Sequence, residues 1–248
     1  MTKPITQFAG AALASPVVRY DSLEDLFALG DLEAPVVVNH RNLSKSDLEK
    51  IALLRGRGVQ TTRAFGQVRE IRVLPGNLDS IAESCGRHDM HTDGTFMPDP
   101  PREFALYFVR TDPAGGGVSW FLDAAKIMEA LEPKLVFALN EGEARFARRD
   151  RKGFVDAWTG PLLSHDPAGR WRLRWRYDEQ VRPEPVRDPS GDLTAAIEAV
   201  LELCESLPRL TYAAEAGDLV LVPNSRWLHG RSELSQKSER LVYRAWIG

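Results

Sequence analysis

In the segment His91-Thr92-Asp93-Gly94-Thr95-Phe96, a histidine and an aspartate stand two positions apart. On a strand, residues i and i+2 project to one face, so this spacing aims an imidazole and a carboxylate at a common point. Two ligands do not hold a metal. The chain has five histidines, His40, His88, His91, His165 and His229. His229 is distinguished by its surroundings: "GDLVLVPNSRWLHGRSEL" reads as an apolar strand, a turn at Pro223-Asn224-Ser225, and a second short strand that carries the histidine. Two imidazoles and one carboxylate on one face, with the opposite positions open, are the ligand set that suits Fe(II). Other readings use the same residues. Asp93-Gly94 is also a hairpin-turn dipeptide, and His229 also fits a core histidine bonded to a carbonyl. Zinc held by the same three ligands, for a hydrolase, needs a general base beside a metal-bound water, and no carboxylate is tied to the motifs for that work.

These residues need a framework. Strand-like runs are "APVVVNH", "EIRVLP", "FALYFVRT", "VSWFLD", "RWRLRWRYD", "DLVLVPN" and "RLVYRAWI". Helix signals are fewer: "SLEDLFAL", "SKSDLEKIALLRGRG" with the capping pattern Ser44-x-x-Asp47, "DAAKIMEAL" with Asp123 as N-cap, and "DLTAAIEAVLELCESL". Many short strands with few helices favour a sandwich or barrel over a parallel α/β sheet. No repeat or low-complexity tract divides the chain, and its length and apolar content suit a single domain over 1–248.

Composition excludes some partners. Lys+Arg 32 against Asp+Glu 35 gives a net charge of −3, which does not favour nucleic acid or an anionic membrane. The segment "RWRLRWRYDE" alternates cations with aromatics, as single-strand binders do, but it reads better as a strand with Leu173, Trp175 and Tyr177 on one face and Arg172, Arg174 and Arg176 on the other. Cys85 and Cys204 make no disulfide framework. The run "AGAALAS" near the N-terminus is too short for a signal peptide or a membrane span. The expectation is a cytoplasmic protein.

Four segments in order, "HTDGTF", "PPREFALYFVRTDPAGGGVSWFLDA", "GDLVLVPNSRWLHGRSEL" and "ERLVYRAWI", resemble the taurine dioxygenase and clavaminate synthase superfamily of Fe(II)/2-oxoglutarate-dependent oxygenases. The similarity begins at "APVVVNHRNLSKSDLEKIALLRGRG" and runs to the last strand, with about residues 140 to 190 least distinctive. It implies a mainly β, α+β fold with a double-stranded β-helix (jelly-roll) core. It also implies His91, Asp93 and His229 as iron ligands and catalytic residues, with 2-oxoglutarate and O2 as cosubstrates. Arg240 matches the arginine that clamps the far carboxylate of 2-oxoglutarate, a task suited to a guanidinium fork. Arg244, four residues on, shares a strand face with it and is a candidate for a substrate carboxylate or a second cosubstrate contact. One position departs from the pattern: after "GGG", Val118 stands where a cosubstrate-binding threonine is usual, and the neighbouring Ser119 supplies that hydroxyl only if the register shifts.

The resemblance further implies oxidative decarboxylation of 2-oxoglutarate to succinate and CO2, coupled to oxidation of a C–H bond. Related halogenases carry a small residue in place of the carboxylate, so Asp93 points to hydroxylation, desaturation or ring formation. Candidate substrate-lining residues are Thr95, Phe96, Met97, Arg87, His88 and Trp227, around a small carboxylate-bearing molecule such as an amino acid or a specialised-metabolite intermediate. Segments 79–90 and 145–160 are candidate lids, and "EARFARRDRKGF" reads as too polar for a core. A jelly-roll binding module without catalysis is the remaining alternative.

Overall fold

The computed structural model describes residues 17–20, 22–55, 68–74, 81–149, 153 and 155–248. In chain order the strands are β1 (Val18–Tyr20), β2 (Val36–Asn39), β3 (Val68–Arg72), β4 (His88–His91), β5 (Glu103–Arg110), β6 (Ser119–Asp123), β7 (Glu143–Arg149) and β8 (Val155–Gly160). They continue with β9 (Leu163–His165), β10 (Trp171–Leu173), β11 (Glu184–Arg187), β12 (Leu210–Tyr212), β13 (Asp218–Pro223), β14 (Trp227–Arg231) and β15 (Leu241–Ile247). The helices are α1 (Leu23–Ala28), α2 (Lys45–Leu54), α3 (Ala124–Ala130), α4 (Pro133–Glu141) and α5 (Leu193–Ser206).

Two sheets carry the architecture. The larger runs β1-β2-β13-β5-β15-β3 and the smaller β12-β6-β14-β4. Apart from the parallel β1–β2 pair, every pairing in them is antiparallel. This is the expected mainly β jelly roll. The period of two assigns residues to layers. From the large sheet, Phe104, Phe108, Val220, Val222 and Val242 join Phe121, Met90 and Leu228 of the small sheet in one apolar cluster. Their neighbours Ala105, Tyr107, Leu219, Leu221 and Ala245 pack on the opposite side against Leu48, Ile51 and Ala52 of α2. The large sheet is thus buried on both faces, which is why "DLVLVP" reads as a continuous apolar run.

The capping box predicted for α2 is formed: the Asp47 amide donates to Ser44 Oγ at 3.1 Å, and the Ser44 amide donates to Asp47 Oδ2 at 3.0 Å. Replacing Ser44 with alanine is expected to cost about 1 kcal/mol of folding stability, measured by urea unfolding; a change near zero would mean that packing alone sets this helix start. At its other end, Arg55 clasps the buried Glu103 of β5 through Nε at 2.9 Å and Nη2 at 3.2 Å, tying helix to sheet. Asp123 caps α3 as expected, accepting from the Ala125 amide at 2.9 Å.

Four sequence expectations change. Helix α4 was not foreseen, although Pro133 opening its first turn is a usual start signal. The "EARFARR" segment is core on alternate positions, with Ala144 and Phe146 fully buried in β7; its arginines hid that face, while residues 150–152 and 154 lie outside the described ones. Of "RWRLRWRYD", only β10 pairs as a strand. Beyond it the backbone is held by loops: Arg174 N donates to Leu162 O at 2.8 Å, and Thr92 N to Trp175 O at 2.7 Å. Finally, segment 81–90 is fastened down. Arg231 donates to the carbonyl oxygens of Ile81, Ser84 and Gly86, and Arg69 pairs with Glu83 at 2.8 Å; residues 79 and 80 lie outside the described ones. Among the described residues no helix is long and apolar enough to cross a membrane.

Candidate active site

His91 and His229 come together because β4 and β14 pair antiparallel with these two residues directly opposite each other. Their ring centroids are 4.1 Å apart. The pairing slips between His229 and Arg231, at Gly230, where a Cβ would lie 2.6 Å from the His88 carbonyl oxygen. Asp93 arrives differently from the expectation. Strand β4 ends at His91, so strand alternation does not place the carboxylate. A turn does, with Gly94 at φ +74° and packed so closely that a Cβ would sit 2.7 Å from Pro101 Cδ. Asn224 fixes the turn: its Oδ1 accepts from the Asp93 amide at 2.7 Å, and its Nδ2 donates to the carbonyls of Asp93 at 2.9 Å and Pro101 at 2.8 Å. In the sequence alone, Asn224 reads only as part of the Pro223-Asn224-Ser225 turn.

The result is a compact donor set. One ligand atom from each of His91, Asp93 and His229 lies within 4.8 Å of the others. His91 Nε2 is 3.8 Å from Asp93 Oδ1, and His229 Nε2 is 4.0 Å from Asp93 Oδ2. His91 Nδ1 sits 2.8 Å from the Asp89 carbonyl oxygen, a contact that protonates Nδ1 and leaves a lone pair on Nε2. Burial lowers both imidazoles, in His229 well below the ordinary histidine value, so they are neutral donors at neutral pH. Burial alone would raise the Asp93 carboxyl. Arg244, then the two imidazoles and the Trp246 hydrogen bond, hold it instead well below the usual carboxylate range. Trp246 Nε1 donates to Asp93 Oδ2 at 2.7 Å, and Arg244 Nη1 bridges both carboxylate oxygens at 3.3 Å. Two neutral imidazoles and an ionised carboxylate fit a divalent metal of the Fe(II) type.

The cavity on one side of the triad runs between the sheets, walled by Phe104, Leu106 and Val242, and receives Ser119 and Arg240. Arg240 is buried and lies over the Phe108 ring at 5.4 Å. Among the described residues no hydrogen bond or ion pair reaches its guanidinium. Burial pushes its pKa down to about 9, with Arg231 adding to the fall and Asp112 opposing it. Ser119 does not turn away. It is the first, inward residue of β6, while Val118 is not in the cavity wall. Just before it, Gly117, at φ +75°, packs against Leu234 and the stem of Arg240.

On the other side of the triad, His88 and Phe96 reach the outer pocket, and His88 also lines the inner cavity. His88 stacks on His91 at 3.9 Å, and its buried Nε2 has no hydrogen-bond partner among the described residues. Trp227 is not part of either wall. Its indole nitrogen donates to Glu33 O at 3.0 Å and its ring is core. Arg87 is turned outward, paired with Asp89 at 2.6 Å and with Glu205. Thr95 and Met97 also lie outside both walls.

The comparisons with known proteins agree with this geometry. The family model of the taurine catabolism dioxygenase TauD, TfdA family matches residues 36–246. Pentalenolactone F synthase of Streptomyces avermitilis is 25% identical over 280 aligned positions, covering 96% of this chain and 92% of its own. The 3-((Z)-2-isocyanoethenyl)-1H-indole synthase of Fischerella ambigua is 26% identical over 194, covering 74% and 71%. Among solved structures, asparagine oxygenase with Fe(II), 2S,3S-3-hydroxyasparagine and succinate matches with a TM-score of 0.68 at 17% identity, covering 91% of this chain and 77% of its own. The non-haem iron oxygenase OrfP with Fe and alpha-ketoglutaric acid matches with a TM-score of 0.63 at 16% identity, covering 91% and 78%. A jelly roll that brings two histidines and an aspartate together, matched along most of its length by that family model, places this chain in the TauD/TfdA family of Fe(II)- and 2-oxoglutarate-dependent oxygenases.

Proposed function

We propose that this oxygenase uses His91, Asp93 and His229 to hold Fe(II), and Arg240 with Ser119 to hold the far carboxylate of 2-oxoglutarate. The substrate on this reading is a small carboxylate-bearing molecule, an amino acid or a specialised-metabolite intermediate, which is hydroxylated, desaturated or cyclised. The observation that carries the reading is Arg240, a buried guanidinium facing the triad's cavity that no hydrogen bond or ion pair reaches among the described residues. Such a charge is costly unless an anion meets it.

The bound metal and cosubstrate supply O2 activation and oxidising power. The chain supplies placement. Arg244 and Trp246 orient the Asp93 carboxylate, Phe104, Leu106 and Val242 give the inner cavity an apolar wall, and Arg244 retains Nε and Nη2 for a substrate carboxylate. His88 offers an unpartnered Nε2 to the substrate side. The domain is read as one unit over 1–248, with a small molecule rather than nucleic acid or a membrane as its partner.

The test is anaerobic addition of Fe(II) and 2-oxoglutarate, expected to give a weak visible charge-transfer absorption that changes when substrate binds. A protein that gives no such band but binds zinc and hydrolyses esters would replace this reading with the hydrolase.

A further inference from the structure

The pocket outside the triad is built from four arginines, Arg69, Arg148, Arg176 and Arg244, and among its described lining residues a single carboxylate, Asp93, which belongs to the metal. We propose that this pocket receives a substrate with two acidic groups, one bound by Arg244 and the other by Arg176. The proposal rests on the iron and 2-oxoglutarate reading and specifies its substrate class.

The arginines come from four separate segments, so no local sequence feature explains their convergence. Arg69 of β3 and Arg244 of β15 are direct cross-strand partners whose side chains enter the same pocket. Like charges directly opposite on paired strands are destabilising. Glu83 supports Arg69 at 2.8 Å and Asp93 supports Arg244, but neither pairing explains Arg176, which reaches the same pocket from the segment after β10.

Arg176 is pre-positioned. Its Nε donates to Asp178 Oδ2 at 2.6 Å, and Asp178 Oδ1 is itself anchored by the amides of Gln180 at 2.8 Å and Val181 at 2.9 Å. This clasp uses one edge of the guanidinium. Among the described residues, Nη1 and Nη2 have no hydrogen bond. Arg244 likewise gives only Nη1 to Asp93. Two fixed forks with donors left over are suited to two planar or tetrahedral anions. Arg148, which lies over Phe96 at 5.3 Å, also lines the pocket.

The arginines of "RWRLRWRYDE" therefore have distinct work. Arg174 ties down the loop after Asp93 through the carbonyl oxygens of Thr95 at 2.9 Å, Met97 at 2.5 Å and Pro98 at 3.1 Å, whereas Arg176 faces the outer pocket. Guanidinium donors left over at Arg176 and Arg244 offer nothing to cationic or uncharged lipidic substrates.

The experiment titrates the protein, loaded anaerobically with Fe(II) and 2-oxoglutarate, with matched pairs: O-phosphoserine against serine, glutamate against glutamine, and N-acetylaspartate against N-acetylasparagine. Binding is read by calorimetry and by the charge-transfer absorption. At least one doubly acidic member should bind about tenfold or more tighter than its partner. Arg176→Gln should erase that preference, Arg176→Lys should keep part of it, and both variants should titrate 2-oxoglutarate as wild type does. If no doubly acidic member outbinds its partner, or if Arg176→Gln leaves the preference intact, the proposal is wrong. Absence of the absorption in wild type overturns the iron reading instead, and the same calorimetric pairs on metal-free protein then test the arginine pocket alone.

Discussion

Asp93→Ala is expected to abolish Fe(II) binding and turnover, and His91→Ala to do nearly the same. Losing a partner behind a metal ligand already costs roughly 10–100-fold in metal affinity, so losing the ligand itself must cost more. In this site the loss is compounded. Arg244 and Trp246 both direct hydrogen bonds at the Asp93 carboxylate. Without it, a buried guanidinium stands beside two neutral imidazoles and repels an incoming dication. Removing one partner of a buried ion pair also costs about 3–5 kcal/mol of stability, so the variant should melt earlier while keeping its far-UV spectrum. Iron content after anaerobic loading and the charge-transfer absorption read the first effect; thermal unfolding reads the second. A variant that kept iron and the absorption would remove Asp93 from the ligand set. Asp93→Asn separates the two terms, because it keeps an oxygen donor but removes the charge that Arg244 faces.

Residue chemistry was legible in the sequence where a side chain has few other uses. His91, Asp93 and His229 are readable as a set because imidazole and carboxylate donors bordering apolar strands are uncommon; Arg240 and Arg244 do line one cavity, although Arg240 lies just ahead of β15 and not on it. What was not legible is how backbone outside strands points those groups. Asp93 reaches the site through a turn that depends on Gly94 and on Asn224, more than a hundred residues away in the chain. Ser119, and not Val118, lines the inner cavity, which residue spacing alone does not decide.

The charged face of "RWRLRWRYDE" illustrates the opposite error. Alternation correctly separated Leu173 and Trp175, both fully buried, from the arginines, but it cannot say whether the polar face meets water or a cavity. Arg174 and Arg176 are the answer here, one bonded to a loop and the other to a pocket. Trp227 was misread for a related reason: nearness to His229 in sequence did not bring its ring to the same cavity.

Replacing Arg240 with methionine should separate function from stability. In the ligand-free protein its guanidinium is buried against Phe108 and Gly117, and Asp112, the acid that favours its charge, is already bonded to Ser235 and Ala114. The lowering of its pKa to about 9 expresses the same strain: burial first, then repulsion from Arg231. An uncompensated buried charge destabilises the fold, and exchanging buried ionic groups for apolar ones of similar volume is often neutral or stabilising by about 1–4 kcal/mol. Arg240→Met should therefore melt at the wild-type temperature or above it when no ligand is present. Affinity for 2-oxoglutarate should fall by about 2–5 kcal/mol, roughly 30-fold to several thousandfold, since a buried anion loses its charged partner. Arg240→Lys should lie between, keeping charge but not the fork. Melting curves with and without 2-oxoglutarate distinguish the outcomes: wild type should gain stability with ligand concentration, and the methionine variant should not. A variant that melts well below wild type without ligand, or that keeps the ligand-induced gain, would make Arg240 a structural residue and move the cosubstrate's far carboxylate to another cation.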